Sequence, residues 1–147
     1  MAFLRRAVLW SVIPLNVLLI AWVWMGRAVF GVEWGWTFII LMMTAVPLLV
    51  ALLGTTTVLA YRQPARPIRL SAGQAWAQIA VWAAMLAFGL AIVDFDDSGR
   101  TESVLSRWFG AGALGASEVV AAVSTGVAAG AWLVLLVLLI RGRRVAR

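Results

Sequence analysis

Asp94, Asp96, Ser98 and Gly99 stand at the spacing D-x-D-x-S-G. Oxygens at positions 1, 3 and 5 of such a run ligate calcium, and the glycine makes the sharp turn around the ion. Asp94, Asp96 and Ser98 are therefore the candidate metal ligands. The pattern then lapses. Position 12, which should hold a bidentate Glu, is Leu105, and Glu102 stands at position 9. No helix–loop–helix frame surrounds the run. A solvated acidic turn is the stronger expectation, with no bound metal and no cofactor.

Few other residues have chemistry to offer. The chain has no Cys and no His, and all 12 basic residues are Arg. Thiolate chemistry, disulfides, iron–sulfur clusters, His-ligated metals and Schiff-base lysines are thereby excluded. The six acids include pairs such as Asp94 and Glu33 that would suit acid–base work, but no spacing gathers them round a substrate. An enzyme is not expected.

The elements that hold these residues are membrane spans. Of 147 residues, 64% are hydrophobic and 12% are charged, against about half and about a quarter in soluble domains. A nucleic-acid partner is not expected, despite the net charge of +6. Four apolar runs, at 7–25, 37–60, 74–93 and 119–140, carry no Asp, Glu or Arg. Each is long enough to cross a bilayer as a helix. The fold class is an all-α integral membrane protein, a four-transmembrane-helix bundle in one domain. The first run follows Arg5 and Arg6, but no small-x-small cleavage site follows Met25, so it is read as a retained span.

Polar groups inside the runs are few. Asn16 lies two residues after Pro14 in the first, and Thr44 precedes Pro47 in the second. Each proline frees a carbonyl four residues back, so Pro14, Asn16, Thr44 and Pro47 are the candidate hinge or polar core. Gln74 and Gln78 lie one turn apart in the third run, and Ser124 and Thr125 lie in the fourth. No ionisable side chain stands at bilayer depth, which argues against proton-coupled exchange.

Small residues mark expected packing faces. The fourth run carries Ala122, Gly126 and Gly130, and the third Ala83, Ala87 and Ala91, with Ala80 and Ala84 beside them. Antiparallel packing of these two helices through the stripes is one use, and a homodimer seam is the other.

Charge predicts the orientation. Arg5, Arg6, Arg62, Arg66, Arg69, Arg141, Arg143, Arg144 and Arg147 fall on one side with no acid; Arg27, Arg100, Arg107 and every acid fall on the other. Positive charge stays cytoplasmic. Both termini are expected inside, with the arginines against anionic lipid headgroups. Trp22, Trp24, Trp34, Trp36 and Trp108 fit an outer aromatic belt. The outer connector, 94–118, is expected to hold a short interfacial helix over 101–109, capped by Thr101. Its apolar face is Val104, Leu105, Trp108 and Phe109, and Ser103, Ser106 and Arg107 face away. Ser117 is expected to cap the fourth span.

Arg in place of Lys, with abundant Ala, suggests a high-GC bacterial genome. The expected function is a non-catalytic accessory or scaffold subunit of a plasma-membrane complex, with a protein partner. The alternative is a homo-oligomeric transporter or channel for a small solute, built on the proline-bearing helices. Because the chain has no cysteine, single cysteines test the orientation. Cysteine at Ser98 should label from outside intact cells, and cysteine at Ala146 only after permeabilisation. External labelling at Ala146 would contradict the inward C-terminus.

Overall fold

The computed structural model describes residues 2–63 and 69–144. Arg66 and Arg147 lie outside the described residues, and for Arg143 and Arg144 only the backbone is described. Helix α1 (Ala2–Met25) runs into a 3-10 turn (Gly26–Phe30). Helices α2 (Trp36–Met43) and α3 (Ala45–Tyr61) form the second crossing, and α4 (Ala72–Ala91) the third. A small hairpin follows, with β1 (Asp94–Phe95) antiparallel to β2 (Thr101–Glu102). Helix α5 (Val104–Phe109) and a 3-10 turn (Ala111–Ala113) lead to α6 (Leu114–Arg144).

Four stretches are long and apolar enough to cross a membrane: Phe3–Phe30, Trp36–Tyr61, Ala72–Ala91 and Ala111–Gly142. The chain is a membrane-embedded, multi-pass helical protein. The first stretch runs past both expected ends of its span, taking in Arg5 and Arg6 at one end and the buried Arg27 at the other. The fourth begins before the expected start, which places Ser117 inside α6 and not at its cap.

Helix α4 is the centre of the bundle. Over half of its span is buried (56%), against 17% for both the α2–α3 and α6 crossings. It packs against α1 on one side and α6 on the other. Ser71 caps it, accepting from the Gln74 amide at 3.2 Å, while Gln74 Oε1 accepts from the Ser71 amide at 2.8 Å. This reciprocal box satisfies two donors that a helix start leaves open. The core joins Val12 and Leu19 of α1, Leu53 of α3, Val81 and Met85 of α4, and Leu135 and Leu139 of α6.

Helices α4 and α6 do pack together, but not through the expected stripes. Ala83 is exposed and Ala87 half-buried; of that stripe only Ala91 is enclosed. On α6, a side chain built at Gly126 or Gly130 would meet nothing within 4 Å, and Ala122 is exposed. The inward face of α6 carries Ser117, Ser124 and the half-buried Ala131, seven residues apart, then Leu135 and Leu139. Small residues occur nearly all round the first half of α6, so four-residue spacing alone does not select a face. The inward serines, which avoid lipid, do.

Glycine is required where α1 meets α4. The Trp22 indole lies across Gly26 and Gly89, and a Cβ at either position would overlap its ring. From there Trp22 Nε1 donates to Leu86 O at 3.1 Å. Gly89→Ala should destabilise the detergent-solubilised protein by about 1–3 kcal/mol through overpacking. Gly54→Ala, where nothing lies within 4 Å, should leave thermal stability unchanged or raise it by up to about 1 kcal/mol. Equal responses at the two sites would remove the Trp22 contact from the account.

Candidate functional site

The ionisable groups gather at the end of the bundle that carries the hairpin. Arg27 is only 1% exposed and its Nη2 lies 3.0 Å from Asp94 Oδ2. That approach is not aligned as a hydrogen bond: Nε, Nη1 and Nη2 have no hydrogen-bond partner among the described residues. The pair is therefore held by charge attraction. Asp94 is fully engaged. Its Oδ2 accepts from the Gly35 amide at 3.0 Å, and its Oδ1 from the amides of Thr37 and Phe95, both at 2.9 Å. Thr37 also donates its hydroxyl to Val93 O at 3.0 Å. Asp94 thus caps α2 from a distant part of the chain, where a carboxylate also suits the positive helix start. Gly35 permits this, since a Cβ there would overlap Phe95 O and stand 2.7 Å from Asp94 Oδ1.

The calcium-like run is a hairpin turn. Asp96 Oδ1 accepts from the Ser98 amide (2.9 Å), the Ser98 hydroxyl (2.6 Å) and the Arg100 amide (3.0 Å). These bonds, the Ser98 hydroxyl foremost, hold the Asp96 carboxyl below its usual range. Gly99 makes the expected sharp turn at φ +78°. The three candidate ligands do not converge. Asp94 turns inward to Arg27, while Asp96 and Ser98 bond each other. Among the described residues no cluster of three or more Asp or Glu could hold a metal ion.

Nor do Asp94 and Glu33 form an acid pair. Glu33 lies 2.8 Å from Arg100, and Glu102 lies 3.2 Å from Arg107. Trp36 Nε1 donates to Asp97 at 2.7 Å. All three arginines at this end therefore face a carboxylate. A cavity of about 40 Å³ between Glu33, Asp94, Asp96 and Arg100 has room for on the order of three waters.

Helix α5 differs from its expected form. Thr101 belongs to β2, and the cap is Ser103, whose Oγ accepts from the Ser106 amide at 3.0 Å. Both expected faces are split: Ser103 and Ser106 turn inward beside Val104, while Arg107, Trp108 and Phe109 are exposed. Ser103 and Ser117 share a hydroxyl hydrogen bond at 2.8 Å, while Trp108 and Phe109 are exposed. The physical reason is that lipid solvates aromatic rings at the interface and cannot solvate hydroxyls. Trp108 meets Phe30 edge-on at 5.1 Å.

At mid-depth, Asn16 is the polar core that its position predicted. Its Nδ2 donates to Thr57 Oγ1 at 3.0 Å, and its Oδ1 accepts from Trp82 Nε1 at 2.8 Å and from Gln78 Nε2 at 3.4 Å. Helices α1, α3 and α4 meet there. Pro14 is exposed, and α1 passes through it unbroken. Pro47 does interrupt its crossing: α2 ends at Met43 and α3 starts at Ala45. Thr44 stands in the gap and donates its hydroxyl to Ile40 O at 2.6 Å. Sequence reasoning missed Arg27, Thr57 and Gln63. Gln63 Nε2 donates to Leu139 O at 3.1 Å, and Gln74 Nε2 to Leu138 O at 3.1 Å, so both clamp α6 at the arginine-bearing end.

No protein-family model, curated protein or solved structure matches the chain. Its chemistry therefore has to be read from its own geometry. The charged and mid-depth polar groups bond one another, and they hold helices together.

The ion pair makes an asymmetric prediction. Asp94→Ala strands a buried guanidinium and releases three amides, so it should cost about 3–5 kcal/mol of stability. Arg27→Met leaves Asp94 with its three amide donors and should cost well under half of that. Thermal unfolding in detergent measures both, and a costlier Arg27→Met would reverse the assignment of Asp94 as the anchor.

Proposed function

We propose that the chain is a non-catalytic accessory or scaffold subunit of a plasma (inner) membrane complex in a bacterium, with both termini cytoplasmic. One observation supports this above the rest: most of its polar and charged groups at the hairpin end and at mid-depth, Asp94, Asp96 and Asn16 foremost, are engaged within the chain, while a small-residue edge of α6 is left uncovered. A transporter of polar solutes needs polar groups facing a path. Here the Asn16 node is closed among Thr57, Gln78 and Trp82, and the large cavity, about 400 Å³, is lined almost wholly by carbon. The edge of Ala122, Gly126 and Gly130 suits the close approach of a partner helix. At the opposite end from the hairpin, Arg6, Arg62, Arg69 and Arg141 are exposed, as contact with anionic headgroups requires.

Purification from native membranes in mild detergent tests this reading. The chain should run in a defined assembly with other polypeptides. Leu at both Gly126 and Gly130 should release it from them without changing its own melting temperature, because nothing lies within 4 Å of either site. A symmetric homo-oligomer of the wild-type chain, or an assembly indifferent to both substitutions, would overturn the proposal. The former result would favour the transporter or channel.

A further inference from the structure

Helices α3 and α6 are joined toward the arginine-bearing end and part beyond it. Gln63, just after α3, bonds Leu139 O. Further along, Trp132 Nε1 donates to Leu52 O at 3.0 Å. Past Trp132 the two helices enclose a cleft of about 400 Å³, backed by Ala84, Met85 and Phe88 of α4. Its only side-chain hydroxyls are those of Ser124 and Thr125, and Thr125 already donates to Ala121 O at 2.9 Å. Trp132 closes one end. The rim residues Leu48 and Leu133 are 57% and 54% exposed, so the cleft is continuous with the surface that meets bilayer hydrocarbon.

Size and chemistry select the occupant. Water has no partners in such a space, and apolar walls facing a void lose dispersion contacts. The volume is roughly two to three times that of a cavity that takes one benzene. Ala84, Ala128 and Ala129 make a smooth wall without branches. We propose that the cleft seats one acyl chain of a membrane phospholipid, its methyl end against Trp132 and its headgroup in the leaflet on the hairpin side. The cleft adjoins the α6 edge, since its lining residues Ala129 and Leu133 lie three residues from Gly126 and Gly130, but the lipid titration uses the chain without partners, so its failure and that of the partner reading are distinguishable.

Trp132 is the reporter. The full chain, purified in mild detergent, is titrated with phosphatidylglycerol carrying brominated acyl chains, which quench tryptophan. The Trp132 signal is the difference between wild type and Trp132→Phe. Quenching of the Trp132 signal should saturate at about one brominated lipid per chain, whereas random contact within the micelle would give a shallow rise with no plateau. Phe at both Ala128 and Ala129 should fill the cleft and return quenching to the random curve. Val134→Phe, on the exposed face outside the cleft, should leave it unchanged. As a readout independent of any filled variant, a spin-labelled phosphatidylglycerol should show one immobilised chain per wild-type protein beyond the annular lipid. Random-contact quenching of wild-type Trp132, or no additional immobilised chain, would overturn the proposal.

Discussion

The structure depends on one buried carboxylate. Asp94 receives three backbone amides and the charge of Arg27. The partners come from three pieces of backbone: Arg27 past the end of α1, Gly35 and Thr37 at the start of α2, and Phe95 in the hairpin after α4. A buried ion is costly unless its lone pairs are satisfied, and here the amides do most of that work. Arg27 lacks aligned acceptors, so its burial is stabilised chiefly by proximity to this carboxylate. The arrangement joins the first helix pair to the second at a single atom group. The hairpin turn, held by Asp96, keeps Asp94 in place, and the Gly35 backbone fits against it because it has no side chain.

Elsewhere lipid imposes the logic. In hydrocarbon a polar side chain must find a partner within the protein, and each such bond adds on the order of 0.6 kcal/mol. The chain uses them as cross-braces between helices and not as a path. Asn16 binds α1 to α3 and α4; Tyr61 reaches back to Leu9 O; Trp132 reaches Leu52 O; Gln74 reaches Leu138 O. Every crossing is tied to another by at least one side-chain bond to a distant residue. The bundle then does not rely on tight small-residue contact alone, which explains why the Gly126–Gly130 edge is free of internal duty.

Much of this was legible. Four crossings follow from hydropathy, because only runs of that length and apolarity can satisfy a bilayer. The break at Thr44 follows from Pro47, and the turn at Gly99 from its spacing. Asn16 was legible as a core residue, although its partners were not, since Thr57 and Trp82 meet it only through helix rotation. Arg27 was misread because charge counts place a residue on a side and say nothing about burial. The faces of α5 were misread because hydrogen bonding, not apolarity alone, sorts its side chains: Ser103 and Ser106 turn in beside Val104, and Trp108 and Phe109 turn out. The α6 face was misread because its small residues are too many to rank by spacing.

The two ends of the bundle therefore differ in kind. At the hairpin end three arginines pair with Asp94, Glu33 and Glu102, and Asp96, Asp97 and Glu118 leave that end net negative. At the other end exposed arginines have no acid in the sequence near them. The second end is net positive, the sign that the proposed inward orientation sets against anionic headgroups. Between the ends, what remains for recognition is shape: a smooth cleft beside Trp132 and a narrow edge of glycine and alanine. With most of its polar atoms committed to its own cohesion, the chain offers the hydrocarbon layer shape alone, and the proposed lipid chain and neighbouring helix are the occupants that shape without polar contacts suits.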